Sequence, residues 1–306
     1  MTGATRGLGE VAAIKLLTDA PDVHLVLIAR SDGANVAQEL RERSANAHVS
    51  SVQADLSSLD SIRKASAEIK QDLDLEVLPP LSGFIGNAGL QLLRATDASS
   101  DGTEQTFAVN VLANYVFVDE LRGHFRAPAR IVLTTSDTHF GDFSHNMGMV
   151  PAPKWRDPAR LAAPGSAENA SSAVAGRTAY STSKLAVIYL THALARQLPP
   201  GVETFAFNPG LVPGTGLVRD SGAISRFAFR RIMPVMTLTP YARSLKVSGA
   251  DLAAAAIGPV AAESGSYING NKIERSSPES YDPAREDTLW DELTRLTHPQ
   301  DLALAG

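Results

Sequence analysis

Short, nearly continuous apolar runs alternate with helix-like stretches along most of this chain, and that alternation restricts the fold more than any other feature. Val23–Ala29 (VHLVLIA), Val49–Ala54, Leu81–Ile85, Arg130–Thr135 (RIVLTT), Val202–Asn208 and Ser266–Asn269 read as strands. Runs without polar alternation suit strands buried on both faces. Between and around them, Glu10–Ala20, Asn35–Arg43, Leu59–Leu73, Thr103–Phe125, Ala179–Leu198, part of Leu238–Pro259 and Asp287–Thr297 carry helical patterns. Strands of this kind separated by helices predict an α/β class, with a parallel sheet and crossover helices. In such a sheet the chemistry belongs on the loops at the strand C-termini, where strand order reverses.

Composition narrows the chemistry. The 306 residues contain no cysteine, which excludes disulfides, zinc–thiolate sites, iron–sulfur clusters and cysteine nucleophiles. No metal is expected. The 28 Lys+Arg against 33 Asp+Glu give a formal net charge of -5. A duplex-binding surface needs cations, so a nucleic-acid partner is not expected. No run approaches the roughly 20 apolar residues of a membrane span, and no signal peptide precedes the first motif. These readings give a cytoplasmic expectation.

The first motif is Thr2-Gly3-Ala4-Thr5-Arg6-Gly7-Leu8-Gly9, running straight into a helix. Glycines let the backbone turn tightly against a pyrophosphate, and the helix start directs N–H groups at the anion. The spacing is GxxxGxG, neither GxGxxG nor a Walker A loop. The alternative is a Gly-rich turn without a ligand. The next strand ends in Ala29-Arg30-Ser31, where NAD sites usually carry an acid. Arg30 suits a 2′-phosphate, with Arg6 as a second cation, so NADP(H) is the expected cofactor. Arg30 as an ordinary surface cation is the competing reading. Asp55 can meet an adenine amino group or cap Ser57-Ser58.

A second set supports proton transfer. Tyr180 and Lys184 lie four apart on one helical face. An isolated tyrosine has a pKa of about 10, and a neighbouring ammonium is expected to lower it. Ser136, just past a strand, can orient a carbonyl or alcohol oxygen. Asn110 is disfavoured inside a helix, and its side chain is expected to hold a water linking Lys184 to solvent.

Taken in order, these residues resemble the short-chain dehydrogenase/reductase family across nearly the whole chain. Gly3, Thr5, Arg6, Gly7, Leu8 and Gly9 match its cofactor loop, and Asp55-Leu56 its adenine contact. Asn87-Ala88-Gly89 matches its central signature. Asn110, Ser136, Tyr180 and Lys184 match its catalytic tetrad, and Pro209-Gly210 with Thr215 its nicotinamide contact. The resemblance implies one Rossmann-type, doubly wound domain over residues 1–306 with helices on both faces. It implies hydride transfer at nicotinamide C4, with Tyr180 moving the proton and Tyr180 and Lys184 also holding cofactor. Thr134-Thr135-Ser136-Asp137-Thr138-His139 and Ser183-Lys184-Leu185-Ala186 resemble the retinol-dehydrogenase and protochlorophyllide-reductase-like branch. His139 lines the pocket or stabilises a turn.

Two departures stand out. The family opens with a strand before its glycine loop, whereas only Met1 precedes Thr2 here. The first strand of the sheet is therefore expected to be missing, through a start placed too late or with the far end of the chain filling the slot. Residues 140–176 are an insertion between Ser136 and Tyr180, and they are expected, with segment 214–240 (Phe227, Phe229, Met233 and Met236), to form a substrate-side lid; a surface elaboration or a subunit contact is the competing reading of the insertion. The expected function is NADP(H)-dependent interconversion of a carbonyl and an alcohol on a small lipophilic substrate, by a monomer or homodimer. Reduction of an activated C=C bond, and a non-catalytic NADP(H)-binding regulator or scaffold, are the alternatives.

Overall fold

The computed structural model describes residues 1–212 and 242–298. The elements are α1 (Gly7–Asp19), β1 (Leu25–Ala29), α2 (Gly33–Ser44), β2 (Val49–Gln53), α3 (Leu59–Asp74) and β3 (Leu81–Gly86). They continue with α4 (Gln105–Phe107), α5 (Ala113–Leu121), β4 (Phe125–Thr134), α6 (Phe143–Asn146), α7 (Pro158–Ala162) and α8 (Ala173–Gln197). The remainder are β5 (Val202–Asn208), α9 (Leu245–Ile257), β6 (Tyr267–Asn269), β7 (Lys272–Glu274) and α10 (Pro283–Thr297).

Strands β1 and β2 pair in parallel, and β3-β4-β5-β6-β7 form the rest of the sheet, with only β7 antiparallel. Met1 and Thr2 join the two parts. The Met1 carbonyl accepts the Ile28 N–H at 2.9 Å, and the Thr2 N–H donates to the Ile85 carbonyl at 2.9 Å. Thr2 thereby bridges Ile28 on one side and Gly86 on the other, both in parallel. Among the described residues these two, both buried, occupy the position between β1 and β3 through bridges to either side. Among the described residues the far end of the chain does not fill the slot, because β6 and β7 lie at the opposite edge.

Period-two alternation explains the continuous apolar runs. Ile28, Val52, Phe84, Ile131 and Leu133 face a core closed by α3, α5, α8 and α10. Leu27, Ile85, Val132, Phe205 and Phe207 face the other core, closed by α1, α2 and α9. Both sheet faces are covered, as in a Rossmann-type, doubly wound fold. Helix starts are set by side-chain caps: Ser58 for α3, Ser172 for α8, Ser244 for α9 and Asp282 for α10. Gly249 lets α9 close on α1, since a methyl there would stand 2.5 Å from Val11.

Two stretches differ from expectation. The single helix expected over 103–125 is interrupted by a π-helical turn at Ala108–Leu112 and a 3₁₀ turn at Arg122–His124. The π turn contains Asn110, whose side chain reaches out to Leu90. Strand β4 then begins at Phe125, earlier than expected. Pro128, within it, is accommodated where the β3–β4 register shifts between Leu81 and Gly83.

The turn at 137–140 follows Ser136 directly and leads into the insertion, where α6 stands beside it. Further on the chain runs along the flank of α8. The Lys154 N–H donates to Thr182 Oγ1 at 2.9 Å, and Trp155 packs edge-on against Tyr189 at 4.6 Å. Segment 214–240, with Thr215, lies outside the described residues.

Candidate active site

The parallel strands deliver their C-terminal ends to one edge of the sheet. Thr2 leads into the glycine loop and β1 into Arg30. Strand β2 leads to Asp55, β3 to Asn87-Ala88-Gly89, β4 to Ser136, and β5 to Pro209-Gly210. Every described candidate at a strand end therefore shares one edge, without contributions from distant surfaces.

The glycine loop is tight for steric reasons. Gly3 has φ +67°, and a methyl there would stand 2.8 Å from the Ala88 backbone. A methyl on Gly9 would stand 2.0 Å from the Gly3 carbonyl oxygen. The Asn87 amide closes the loop by donating to the Gly3 carbonyl at 3.1 Å, and the Ala88 N–H donates to Thr2 Oγ1 at 3.0 Å. Arg6 is the N-cap of α1 in extended conformation and makes no side-chain cap bond. The N–H groups of the first turn, from Gly7, Leu8 and Gly9, are thus unclaimed by a cap and can receive an anion. Thr5 is half-buried beside them. The cradle fits a nicotinamide dinucleotide's pyrophosphate.

Arg6 and Arg30 are exposed, and neither forms an ion pair among the described residues. Burial raises the Asp55 pKa, but its hydrogen bonds from the Ser57 N–H (2.9 Å) and hydroxyl (2.7 Å) and the nearby Arg30 charge outweigh it, for a net lowering. Both Ser57 bonds use Oδ1. The turn-capping reading of Asp55 is therefore realised, and Oδ2 remains for a ligand. Leu56 packs beside Leu90, Leu92 and Val109.

Helix α8 carries Tyr180 and Lys184 in its buried interior. The Lys184 ammonium stands 5.6 Å from the Tyr180 ring centroid and donates to the Thr134 carbonyl at 2.9 Å. The Lys184 carbonyl accepts from Thr135 Oγ1 at 2.7 Å, which ties α8 to the end of β4. Burial pushes the Tyr180 phenol up to about 12, against the pull of a hydrogen bond with the Ser136 hydroxyl. Burial also pulls the Lys184 ammonium down to about 8. The phenol therefore lies above the free value rather than below it, because desolvation of a buried phenolate is the dominant cause.

The Asn110 Oδ1 accepts the Leu90 N–H at 2.9 Å, and its Nδ2 donates to the Leu90 carbonyl at 3.0 Å and to Ser183 Oγ at 2.9 Å. Both amide hydrogens are taken by protein, and Oδ1 already accepts one bond. Its role here is to pin the strand-end segment against α8. Gly89 lies beside it, where an added methyl would stand 3.3 Å from both Asn110 Oδ1 and Lys184 Nζ. Gly210, φ +74°, donates its N–H to Asn208 Oδ1 at 3.1 Å, and Ser248 Oγ fastens the Pro209 carbonyl at 2.8 Å.

Sequence reasoning left the supporting groups unread. The Thr134 carbonyl, Ser183 and the Leu90 backbone are anchors that residue type does not advertise. His139 takes the turn-stabilising role: its Nδ1 meets the Ser136 carbonyl at 2.6 Å, and its Nε2 accepts the Ser277 N–H at 3.1 Å. No helix among the described residues is long and apolar enough to cross a membrane.

The short chain dehydrogenase family model matches residues 1–147. Human (Homo sapiens) retinol dehydrogenase 13 is 28% identical, over 97% of this chain and 83% of its own length. Polyprenol dehydrogenase of Danio rerio is 28% identical, over 97% of this chain and 85% of its own. Among solved structures, NADPH-bound carbonyl reductase from chicken fatty liver superimposes with a TM-score of 0.60 at 18% identity, covering 89% of this chain and 96% of that one. The chain is thus similar to short-chain dehydrogenases over its first 147 residues and to these two relatives over nearly its whole length, and the solved structure shares its fold.

Proposed function

We propose that this chain is a short-chain dehydrogenase/reductase, an NADP(H)-dependent oxidoreductase that interconverts a carbonyl and an alcohol on a small lipophilic substrate. The observation that carries the reading is the Tyr180 phenol, buried, facing the Ser136 hydroxyl, and flanked by the Lys184 ammonium at the edge where the glycine loop lies. The buried phenol is protonated at neutral pH, which is the form that can donate, and burial alone makes it a weaker acid than a free tyrosine. Ser136 orients the oxygen that receives that proton. Lys184 supplies positive charge beside a phenolate as it forms. Gly3, Gly7, Leu8 and Gly9 with the start of α1 would hold the cofactor's pyrophosphate, and Arg30 with Arg6 its 2′-phosphate. Asp55 and Leu56 would meet the adenine, and Asn87-Ala88-Gly89 and Pro209-Gly210 would flank the rest. When bound, the cofactor supplies or accepts the hydride.

The lipophilic substrate class draws support from the relatives named for retinol and polyprenol. A cytoplasmic location belongs to the same reading and rests on the cysteine-free composition. The test is a panel of lipophilic ketones and aldehydes with NADPH, followed at 340 nm. Turnover that Tyr180→Phe abolishes while cofactor binding persists supports the proposal. Tight NADPH binding without turnover on any member of the panel overturns it.

A further inference from the structure

The turn after β4 holds Ser136 from both ends. Its carbonyl accepts twice from one residue, from the His139 main-chain N–H at 3.2 Å and from His139 Nδ1 at 2.6 Å. Its hydroxyl faces the Tyr180 phenol and also accepts the Thr138 N–H at 3.4 Å. The His139 ring is 1% exposed and lies between the Phe140 ring (4.2 Å) and the Tyr267 ring (5.2 Å, edge-on).

The ring's other nitrogen settles its tautomer. A main-chain N–H can only donate, so Nε2, which faces the Ser277 N–H at 3.1 Å, must be the bare acceptor. The proton then sits on Nδ1 and points at the Ser136 carbonyl. Protonation would place a second N–H against that of Ser277, and the deep burial of the ring accordingly holds its pKa down at about 4. The titratable groups around the ring are Asp137, Asp142 and His145.

Ser277 is itself fixed. Ser276 Oγ and Ser280 Oγ lie 2.6 Å apart, Ser280 Oγ donates to the Ser277 carbonyl at 2.7 Å, and all three serines are buried. The Tyr189 hydroxyl of α8 donates to the Glu279 carbonyl at 2.7 Å. Tyr189 stands on the same helix as Tyr180. The segment 276–280 therefore braces the Ser136 turn against the helix that carries the phenol.

We propose that His139 is a positioning residue for Ser136, its Nδ1–H gripping the Ser136 carbonyl while the Ser277 N–H on Nε2 keeps the ring in that tautomer. The contribution to turnover rests on the function proposed above; the tautomer and the grip do not.

Two substitutions separate the two ring nitrogens. In His139→Asn the side-chain amide N–H takes the place of Nδ1–H, and in His139→Gln the amide oxygen takes the place of Nε2. With a carbonyl substrate and NADPH, His139→Asn is expected to keep kcat within about threefold of wild type. His139→Gln is expected to lose about tenfold in kcat, the worth of one hydrogen bond, with the NADPH KM unchanged. Thermal unfolding of the two variants serves as the structural control. If kcat falls equally in both, in step with Tm, or falls in neither, the positioning role is wrong. If the wild type turns over nothing, the proposed function fails, and the inference is judged by ¹⁵N NMR of the same full chain. Protonated Nδ1 and bare Nε2 at neutral pH, with the Ser136 ¹³Cβ shift moved by His139→Gln but not by His139→Asn, support it. An Nε2–H tautomer or a Ser136 shift moved equally by both variants overturns it.

Discussion

The Lys184 ammonium sits 5.6 Å from the centroid of the Tyr180 ring and is held by a main-chain carbonyl, with no carboxylate in ion-pair contact among the described residues. A buried cation without a counter-charge costs folding stability. Because folding lowers the Lys184 pKa from 10.5 to about 8, the folded protein binds fewer protons than the unfolded chain between those values. Stability contributed through this group therefore rises with pH across that window, and the full penalty is present below pH 8. Lys184→Met is expected to raise stability at pH 7 by up to about 3 kcal/mol while abolishing turnover. Urea unfolding of both proteins at pH 7 and pH 9.5 checks this: the difference should be smaller at the higher pH. An equal difference at both values contradicts the assignment.

Gly9→Ala is expected to destabilise the fold by about 2–3 kcal/mol and to remove cofactor binding. The added methyl would meet the Gly3 carbonyl oxygen at 2.0 Å and the Asn87 amide nitrogen at 2.6 Å. Gly123→Ala is the control, since a methyl there meets nothing within 4 Å and φ is not positive. It is expected to stay within about 0.5 kcal/mol of wild type. Thermal unfolding and NADPH fluorescence titration of the pair read both effects.

Arg30→Asp is expected to shift preference from NADPH to NADH. Loss of a charge-assisted contact to the 2′-phosphate corresponds to roughly 10- to 100-fold in kcat/KM for NADPH. The same change should raise the Asp55 pKa, because the Arg30 charge now helps hold it down. An unchanged ratio of the two cofactors' kcat/KM removes Arg30 from the phosphate site.

Tyr267→Phe deletes a hydroxyl that donates to Asp137 Oδ1 at 2.7 Å, from β6 to the turn that follows Ser136. The Asp137 carboxylate loses a partner while half-buried. A cost of about 1–2 kcal/mol is expected, together with lower kcat and little change in cofactor binding. Chemical denaturation and steady-state kinetics at saturating NADPH measure the two parts. Loss of cofactor affinity alone would falsify this placement of the effect.

The architecture was legible because strands buried on both faces leave continuous apolar runs, and Gly3 and Gly9 of the loop answer real contacts. What escaped had little local signal. Strand β7 is three exposed residues paired to β6 around Gly270, too short and polar to show a period. The π turn at Asn110 is imposed by a contact with Leu90, twenty positions away. The direction of the Tyr180 pKa was misread because neighbour identity is visible in a sequence and burial is not. His139 left two roles open until Ser277, 138 positions further on, came into contact with it.

The groups that steady the reacting side chains are largely main-chain atoms: the Thr134 carbonyl under Lys184, both polar atoms of the Leu90 peptide on Asn110, and the Ser136 carbonyl under His139. Mutational scanning exchanges side chains and leaves these atoms in place. A scan would thus score positions 90 and 134 by their packing and pass over the groups on which the site hangs. Amide-to-ester replacement of the Leu90 N–H, which deletes one such atom at a time, reads the part of the site that a codon library does not reach.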